Sequence, residues 1–179
     1  MNVKYAILGF LSWQSFSGYD LKKLFIDSLF IFWSGNNNQI YRTLVQLAKE
    51  GLVSVVIQNQ ESGPSRKIYT ITEKGRAELR LWVMTSPELP QLRNTFLVQL
   101  AWADQLNSGE LDVLLEKYEY EVEMQLALYQ EKKRRNQINP SRTKREQFLW
   151  DSISNNVIES FENELAWVNK LRSELSEMD

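Results

Sequence analysis

Apolar residues in this 179-residue chain recur at steps of three and four along most of its length, interrupted once by a stretch that alternates. Val3 to Trp13 is apolar all round, the pattern of a buried helix. Ser17 precedes "GYDLKKLFIDSLF" with Asp20 three positions on, a capping-box-like start that puts an anion in the first turn. Leu21, Leu24, Phe25 and Leu29 then share one helical face. "SGNNN" (34–38) predicts a turn, after which Ile40, Leu44 and Leu47 follow i, i+4, i+7 and stop at Gly51. That spacing predicts a third helix of about three turns, starting near Asn37. The pattern then changes period. "LVSVVIQ" (52–58) is β-branched, "NQESGPSR" (59–66) is turn material and "KIYTIT" (67–72) alternates, which predicts a hairpin with a long tip. Thr72 caps a fourth helix, "EKGRAELRLWVM". Three helices, a two-stranded ribbon and one more helix predict a winged helix-turn-helix over residues 1–86.

Two prolines in "SPELPQ" (86–91) mark a boundary, and beyond it every pattern is helical. Phe96, Leu97, Leu100 and Ala101 make one stripe. Ser108 is the expected cap of a second helix carrying Leu111, Leu115, Tyr118, Val122, Leu126 and Tyr129, ended by Asn139-Pro140. Thr143 with Glu146 predicts a capping box opening the last helix, with Trp150, Ile153, Val157, Phe161, Leu165, Val168, Leu171 and Leu175 on its apolar face. The fold class is therefore mainly α with a small β-hairpin: a winged helix-turn-helix (1–86) followed by a helical dimerisation and effector domain (87–179). At 1.5 Å per residue the two long helices reach roughly 40 and 50 Å. About 90 residues cannot bury stripes of that length on themselves, so a homodimer is expected.

Charge and composition narrow the chemistry. Histidine and cysteine are both absent, which removes the usual zinc ligands, the thiol nucleophile and the commonest general base. With no clustered acidic motif and no Gly-rich phosphate loop, neither an enzyme nor a cofactor nor a metal is expected. Two apolar stretches, 1–13 and "LFIDSLFIFW" (24–33), fall short of a membrane span and read as core helices, so a cytoplasmic protein is expected. The net charge of −2 hides a division. Residues 1–86 hold 10 Lys/Arg against 6 Asp/Glu, whereas residues 87–179 hold 11 against 17. The front is weakly basic and the rear acidic, as for two units with different partners.

The candidate site lies at the start of the third helix. Asn37, Asn38 and Gln39 carry amides that donate and accept together, the two-point pattern that pairs with adenine in a major groove. Tyr41 and Arg42 lie further along, where a phenol and a guanidinium meet a nucleic-acid backbone, and Thr43 and Gln46 continue the polar face. Asparagine is also a favoured helix cap, and any surface helix is polar outside, so these residues alone leave a plain capped helix open. Arg66 and Lys67 follow in "GPSRK", where the hairpin tip rejoins its strand, in reach of a flanking phosphate. "EKKRR" (131–135) reads as a solvated helix end, an accessory contact to nucleic acid or an interchain salt bridge, and "KYEYEVE" (117–123) as a solvated face. Trp102, Trp150 and Trp167 read as core or dimer contacts, with Trp102 and Trp150 the alternative walls of a flat pocket at the dimer centre. Gly18 and Tyr19 read as packing residues between the second and third helices.

"YAILGFLSWQSFSGYDLKKLF", "NNQIYRTLVQLAKEGLV" and "GPSRKIYTITEKGRAEL" resemble, in this order and spacing, the N-terminal domain of the PadR family of bacterial transcriptional regulators. The resemblance is strong over about 80 residues and architectural over the helical remainder, which is similar to the longer PadR subgroup. It implies that the third helix enters the major groove of double-stranded DNA with Asn38, Gln39 and Tyr41 facing the bases, while Arg66 and Lys67 hold the backbone. It also implies a repressor released by a small aromatic effector. Arg42 departs from the proline or small residue that many relatives have after the tyrosine. A winged-helix module that docks on protein and never reads bases is the competing expectation.

Overall fold

The structure, a computed structural model, describes residues 3–28, 37–60, 63–89, 94–135, 138 and 142–178. The chain separates into two compact units, Met1–Glu88 and Leu89–Asp179. The first contains α1 (Val3–Leu11), β1 (Phe16–Ser17), α2 (Gly18–Asp27), α3 (Asn37–Lys49), β2 (Val53–Gln60), β3 (Gly63–Ile71) and α4 (Glu73–Val83). Its core joins Ile7, Leu8 and Leu11 of α1, Leu21 and Phe25 of α2, and Ile40, Leu44 and Leu47 of α3, all essentially inaccessible to water. Phe10 meets Phe25 edge-on with ring centroids 5.5 Å apart, an arrangement the aromatic quadrupoles favour.

The capping box of α2 forms as expected. Ser17 Oγ accepts from the Asp20 backbone N–H (3.2 Å), and the Asp20 carboxylate accepts from the Ser17 N–H (3.1 Å). The helix stops sooner than its apolar pattern: Ser28 is already extended (φ −65°, ψ 141°). Leu29 to Trp33, residues 34–36 of the expected turn and Asn139-Pro140 lie outside the described residues.

Two features of the sheet depart from the expectation. It has three strands in the order β1-β3-β2, all antiparallel, because Phe16 and Ser17 pair with Tyr69 and Ile68. Two residues are too short to show an alternation, so β1 leaves no mark on the sequence pattern. The ribbon is also longer than expected: pairing runs from Val53↔Ile71 out to Gln60↔Gly63, with an irregularity between Gln58 and Gln60. The supposed turn material is mostly strand, since ladder hydrogen bonds need no apolar side chain.

α3 ends in a Schellman motif. Leu52 N–H donates to Leu47 O (2.9 Å) and Gly51 N–H to Ala48 O (3.1 Å), with Gly51 in the left-handed region at φ 70°. The segment that opens α4 then closes over the carbonyls beyond. Thr72 N–H donates to Leu52 O (3.0 Å), Thr72 Oγ1 to Gly51 O (2.8 Å) and Lys74 Nζ to Glu50 O (2.8 Å). Gly75 seats this contact, because a Cβ there would stand 2.2 Å from Leu52 O and 2.8 Å from Ile71 Cγ1. Lys4 bridges Glu78 (3.0 Å) and Glu50 (3.3 Å), tying α1 to α4 and to the end of α3.

The second unit contains α5 (Thr95–Ala101), a 3-10 turn (Ala103–Gln105), α6 (Ser108–Arg135) and α7 (Lys144–Ser176). α6 and α7 form an antiparallel hairpin: Tyr129 stacks on Phe161 (5.1 Å), Tyr118 donates to Glu164, and Arg172 reaches back to Asp112 (2.7 Å) and Glu119. Phe96, Leu115 and Val168 are the buried centre where α5 joins the pair. Asn107, not Ser108, caps α6. Its Oδ1 accepts from Glu110 N–H (2.9 Å) and its own N–H reaches the Glu110 carboxylate (3.1 Å). Glu110 decides this, since the box needs its acid three places after the cap. At α7 the expected box is half made: Thr143 Oγ1 accepts from Glu146 N–H (3.0 Å), while Arg142 takes the Glu146 carboxylate. "KYEYEVE" is not a purely solvated face, because Val122 is buried and Tyr118 and Glu119 bond across to α7. Among the described residues no helix is long and apolar enough to cross a membrane.

Two outcomes are expected. Gly75→Ala overpacks the junction and should lower unfolding stability by roughly 1–3 kcal/mol in a urea titration; an unchanged midpoint would mean that α4 does not start on Leu52. The Lys4 network should also mark the acid limb. Hydrogen bonds from Lys4 to Glu78, and from Gln46 and Lys4 to Glu50, hold both carboxyls below the usual carboxylate range. Burial opposes the Lys4 charge, but its bonds to Glu78 and Glu50 prevail and raise it. The carboxylates thus contribute stability above their unfolded pKa of about 4.3, lost as pH falls through the depressed folded values. The lysine contributes below about 10.4 and loses its share as pH rises further. Lys4→Met should flatten the fall of the urea midpoint between pH 5 and pH 3, and an equally steep fall in the variant would rule the network out as its source.

Candidate nucleic-acid interface

The sequence of α3 gives it two faces. Ile40, Leu44 and Leu47 fill the core. At ~100° per residue the opposite face carries Asn38, Arg42, Val45 and Lys49, with Tyr41 on one shoulder and Gln39 and Gln46 on the other. All seven side chains are exposed. The structure therefore presents Asn38, Gln39, Tyr41 and Arg42 on the outer side of α3, as the periodicity predicted. Asn37 is the first helical residue, and its side chain lies outside the described residues. Sequence reasoning passed over Val45 and Lys49. Counting three and seven from Arg42 along the helix finds both.

Two contacts tune this face. Gln46 Nε2 donates to Glu50 Oε1 (2.8 Å), so its amide is engaged at the helix end. Tyr41 lies over Gly18, the first residue of α2: a Cβ on Gly18 would stand 2.5 Å from Tyr41 Cε1 and 3.5 Å from Leu44 Cδ1. Gly18 is thus the packing residue expected from the sequence. Tyr19 is not, being 67% exposed. Burial, and then nearby Tyr41, push the Tyr69 hydroxyl further above its ordinary range.

Arg66 and Lys67 stand inside β3, opposite Gln58 and Ile57, and not where a loop rejoins its strand. Successive strand residues point to opposite faces. Lys67 shares its face with the buried Tyr69 and Ile71, hence with the core side of the ribbon, and Arg66 points away with Ile68 and Thr70. Both are exposed. Among the described residues no carboxylate pairs with Arg42, Lys49, Arg66 or Lys67. Glu50, the acid nearest the end of α3, is held by Gln46 and Lys4. The unit thus offers amides, an exposed valine and four cations on α3 and the ribbon. Amides and a methyl group suit base edges, and cations suit phosphates.

In the second unit Trp102 ends α5 and is 69% exposed, whereas Trp150 is half-buried in the second turn of α7. α5 packs beside Val168, which lies eighteen residues, ~27 Å, along α7 from Trp150. The chain by itself therefore does not bring these two tryptophans together. The basic run 131–135 is partly self-neutralised: Glu131 accepts from Arg134 (2.6 Å) and Arg135 (2.7 Å), which hold its carboxyl down at about 2. Among the described residues no cluster of acidic side chains is placed to hold a metal ion.

An exposed polar helix packed on two others, with an antiparallel ribbon beside it, defines a winged helix-turn-helix protein. Residues 7–81 match the family described as "Transcriptional regulator PadR-like family", and residues 92–176 match "Virulence activator alpha C-term". The chain is thus similar, unit by unit, to PadR-like transcriptional regulators and to the C-terminal part of a virulence activator. It is 33% identical over 109 residues to the negative transcriptional regulator PadR of Bacillus subtilis, a match spanning 60% of each chain. The solved structure of Bacillus subtilis PadR in complex with operator DNA is similar, with a TM-score of 0.82, 25% identity, and coverage of 95% of this chain and 97% of that one. So is the Vibrio cholerae virulence activator AphA, with a TM-score of 0.74, 25% identity, and coverage of 99% and 100%.

Gly18→Ala should displace the Tyr41 ring while leaving the fold intact, because the far end of a side chain can swing. The expected result is a change in the Tyr41 ring-proton shifts with a stability cost below about 1 kcal/mol. Unchanged shifts would show that Tyr41 does not rest on Gly18.

Proposed function

We propose that this chain is a cytoplasmic repressor that binds double-stranded DNA as a homodimer and reads sequence with α3. The observation that carries the reading is the outer face of α3: Asn38, Gln39, Tyr41, Arg42, Val45 and Lys49 stand exposed over a fully buried apolar face. In this reading Asn37, Asn38 and Gln39 address base edges, Val45 meets a thymine methyl, and Arg42 and Lys49 lie along the backbone. Lys67, on the core side of the ribbon, and Arg66, on its outer side, contact phosphates flanking the same groove. The operator complex of the Bacillus subtilis relative supports DNA as the ligand, and that relative's description as a negative regulator supports repression. A homodimer would meet a pseudo-palindrome with half-sites about one helical turn, ~34 Å, apart. Release by a small planar aromatic effector completes the reading, with Trp102 and Trp150 as the aromatic walls, one from each protomer.

A gel-shift titration across salt tests it. With three to five cations per protomer neutralising phosphates, log K should fall against log salt with a slope of about −5 to −9 for the dimer. Lys67→Ala should weaken all duplexes alike and reduce that slope by roughly 1 per protomer, whereas Gln39→Ala should relax sequence preference. Binding that ignores salt, or none to any duplex in a random pool, would favour a winged-helix module that docks on protein.

A further inference from the structure

The amides of α3 are not equally available. Gln46 is drawn to the helix end, where its Nε2 donates to Glu50 Oε1 (2.8 Å). Gln39, the third residue of α3, is exposed and has no hydrogen-bond partner among the described residues. It stands in the first turn, the part of a recognition helix that meets base edges. Asn37–Lys49 contains no carboxylate, so the side-chain acceptors of this helix are amide and hydroxyl oxygens. Each base is matched by what its edge offers. Guanine presents two acceptors and calls for a cation, whereas adenine presents an acceptor beside a donor. An uncommitted primary amide, acceptor and donor together, is the complement of adenine. Val45, six residues and ~9 Å further along α3, is exposed and suits the C5 methyl group that distinguishes thymine. One methyl group in the groove is therefore attractive at Val45, and a second placed against Gln39 is not.

We infer that this chain distinguishes methylated from unmethylated DNA: Gln39 holds one adenine of each half-site by two hydrogen bonds, and N6-methylation of that adenine breaks the pair. The inference rests on the DNA reading of the proposed function and adds a means of regulating that site. In a paired adenine one N6 hydrogen bonds to thymine and the other points into the major groove. Gln39 Oε1 accepts from the second hydrogen, while Gln39 Nε2 donates to N7. A methyl group on N6 of a base that stays paired must take the place of that second hydrogen. It removes the donor, leaves Oε1 against a methyl group without a partner, and occupies the space of the amide. No phosphate is altered, so Arg42, Lys49, Arg66 and Lys67 keep their contacts. Methylation should therefore cost affinity for the chosen sequence while the salt dependence stays as it was.

A methyl scan tests this. A duplex selected from a random pool by the full-length chain is remade with N6-methyladenine at one adenine at a time, and binding is followed by fluorescence anisotropy. One adenine in each half-site should lose affinity on the order of tenfold when methylated, at an unchanged salt slope. Full-length Gln39→Ala, checked for fold by circular dichroism, should bind methylated and unmethylated duplexes alike. Equal methyl sensitivity in wild type and variant would overturn the inference, because the effect would then lie in the duplex itself. Selected duplexes with no adenine shared by the two half-sites would overturn it too. Uracil in place of thymine keeps this inference apart from the reading beneath it. A flat methyl scan beside a uracil loss that Val45→Ala abolishes would overturn the Gln39 assignment and leave the proposed function standing. Binding to no duplex at all would overturn both.

Discussion

The first unit depends on how the end of α3 is closed. A helix end leaves carbonyls without partners, and burying them unpaired costs more than most single contacts return. Here Gly51 turns the chain left-handed, Leu52 and Gly51 close the last turn, and the Thr72–Gly75 segment donates to the carbonyls of Glu50, Gly51 and Leu52. One knot of hydrogen bonds therefore fixes the exit of α3, the base of both long strands and the start of α4. The outer face of α3 and the ribbon keep a set relation because both leave from it. Gly51 and Gly75 are needed for different reasons, one for a positive φ and one for the absence of a Cβ against a carbonyl.

The second unit solves another problem. Two helices of 28 and 33 residues bury a seam against each other, and α5 closes one end through Phe96. Polar links join the same elements: Asn94 caps α5 and donates to Tyr118 (3.1 Å), which donates to Glu164, and Arg172 clamps Asp112 and Glu119. These links fix the register of the hairpin. On the other side of α6, Val113, Tyr120, Met124 and Leu128 stay exposed.

Much of the site was legible because α3 obeys one period. Ile40, Leu44 and Leu47 define the buried side, and the outward position of Asn38 and Arg42 follows from counting. The same count reaches Lys49, which its place in the last turn disguised as an ordinary helix-end cation. The ribbon was less legible. Gln58, Asn59 and Gln60 have the composition of a turn, yet they pair, since a two-stranded ladder at the edge of the core asks little of its side chains. Misjudging that length moved Arg66 and Lys67 from a loop into β3, where alternation sends them to opposite faces. Asn107 shows a smaller shift: neighbouring polar residues compete for a cap, and the partner three places on chooses between them.

What the sequence determined by itself was whatever is local and periodic. It set the helices, the caps at Ser17 and Thr72, the stop at Gly51, the two apolar seams and the division of charge between the halves. Tertiary structure decided whatever depends on residues distant in the chain. β1 exists only because β3 is there to pair with it, Tyr41 is held by a glycine 23 residues earlier, and Lys4 finds Glu50 and Glu78 across three helices. The separation of Trp102 from Trp150 is of the same kind. Periodicity records which way a side chain faces, and only packing determines what it meets there.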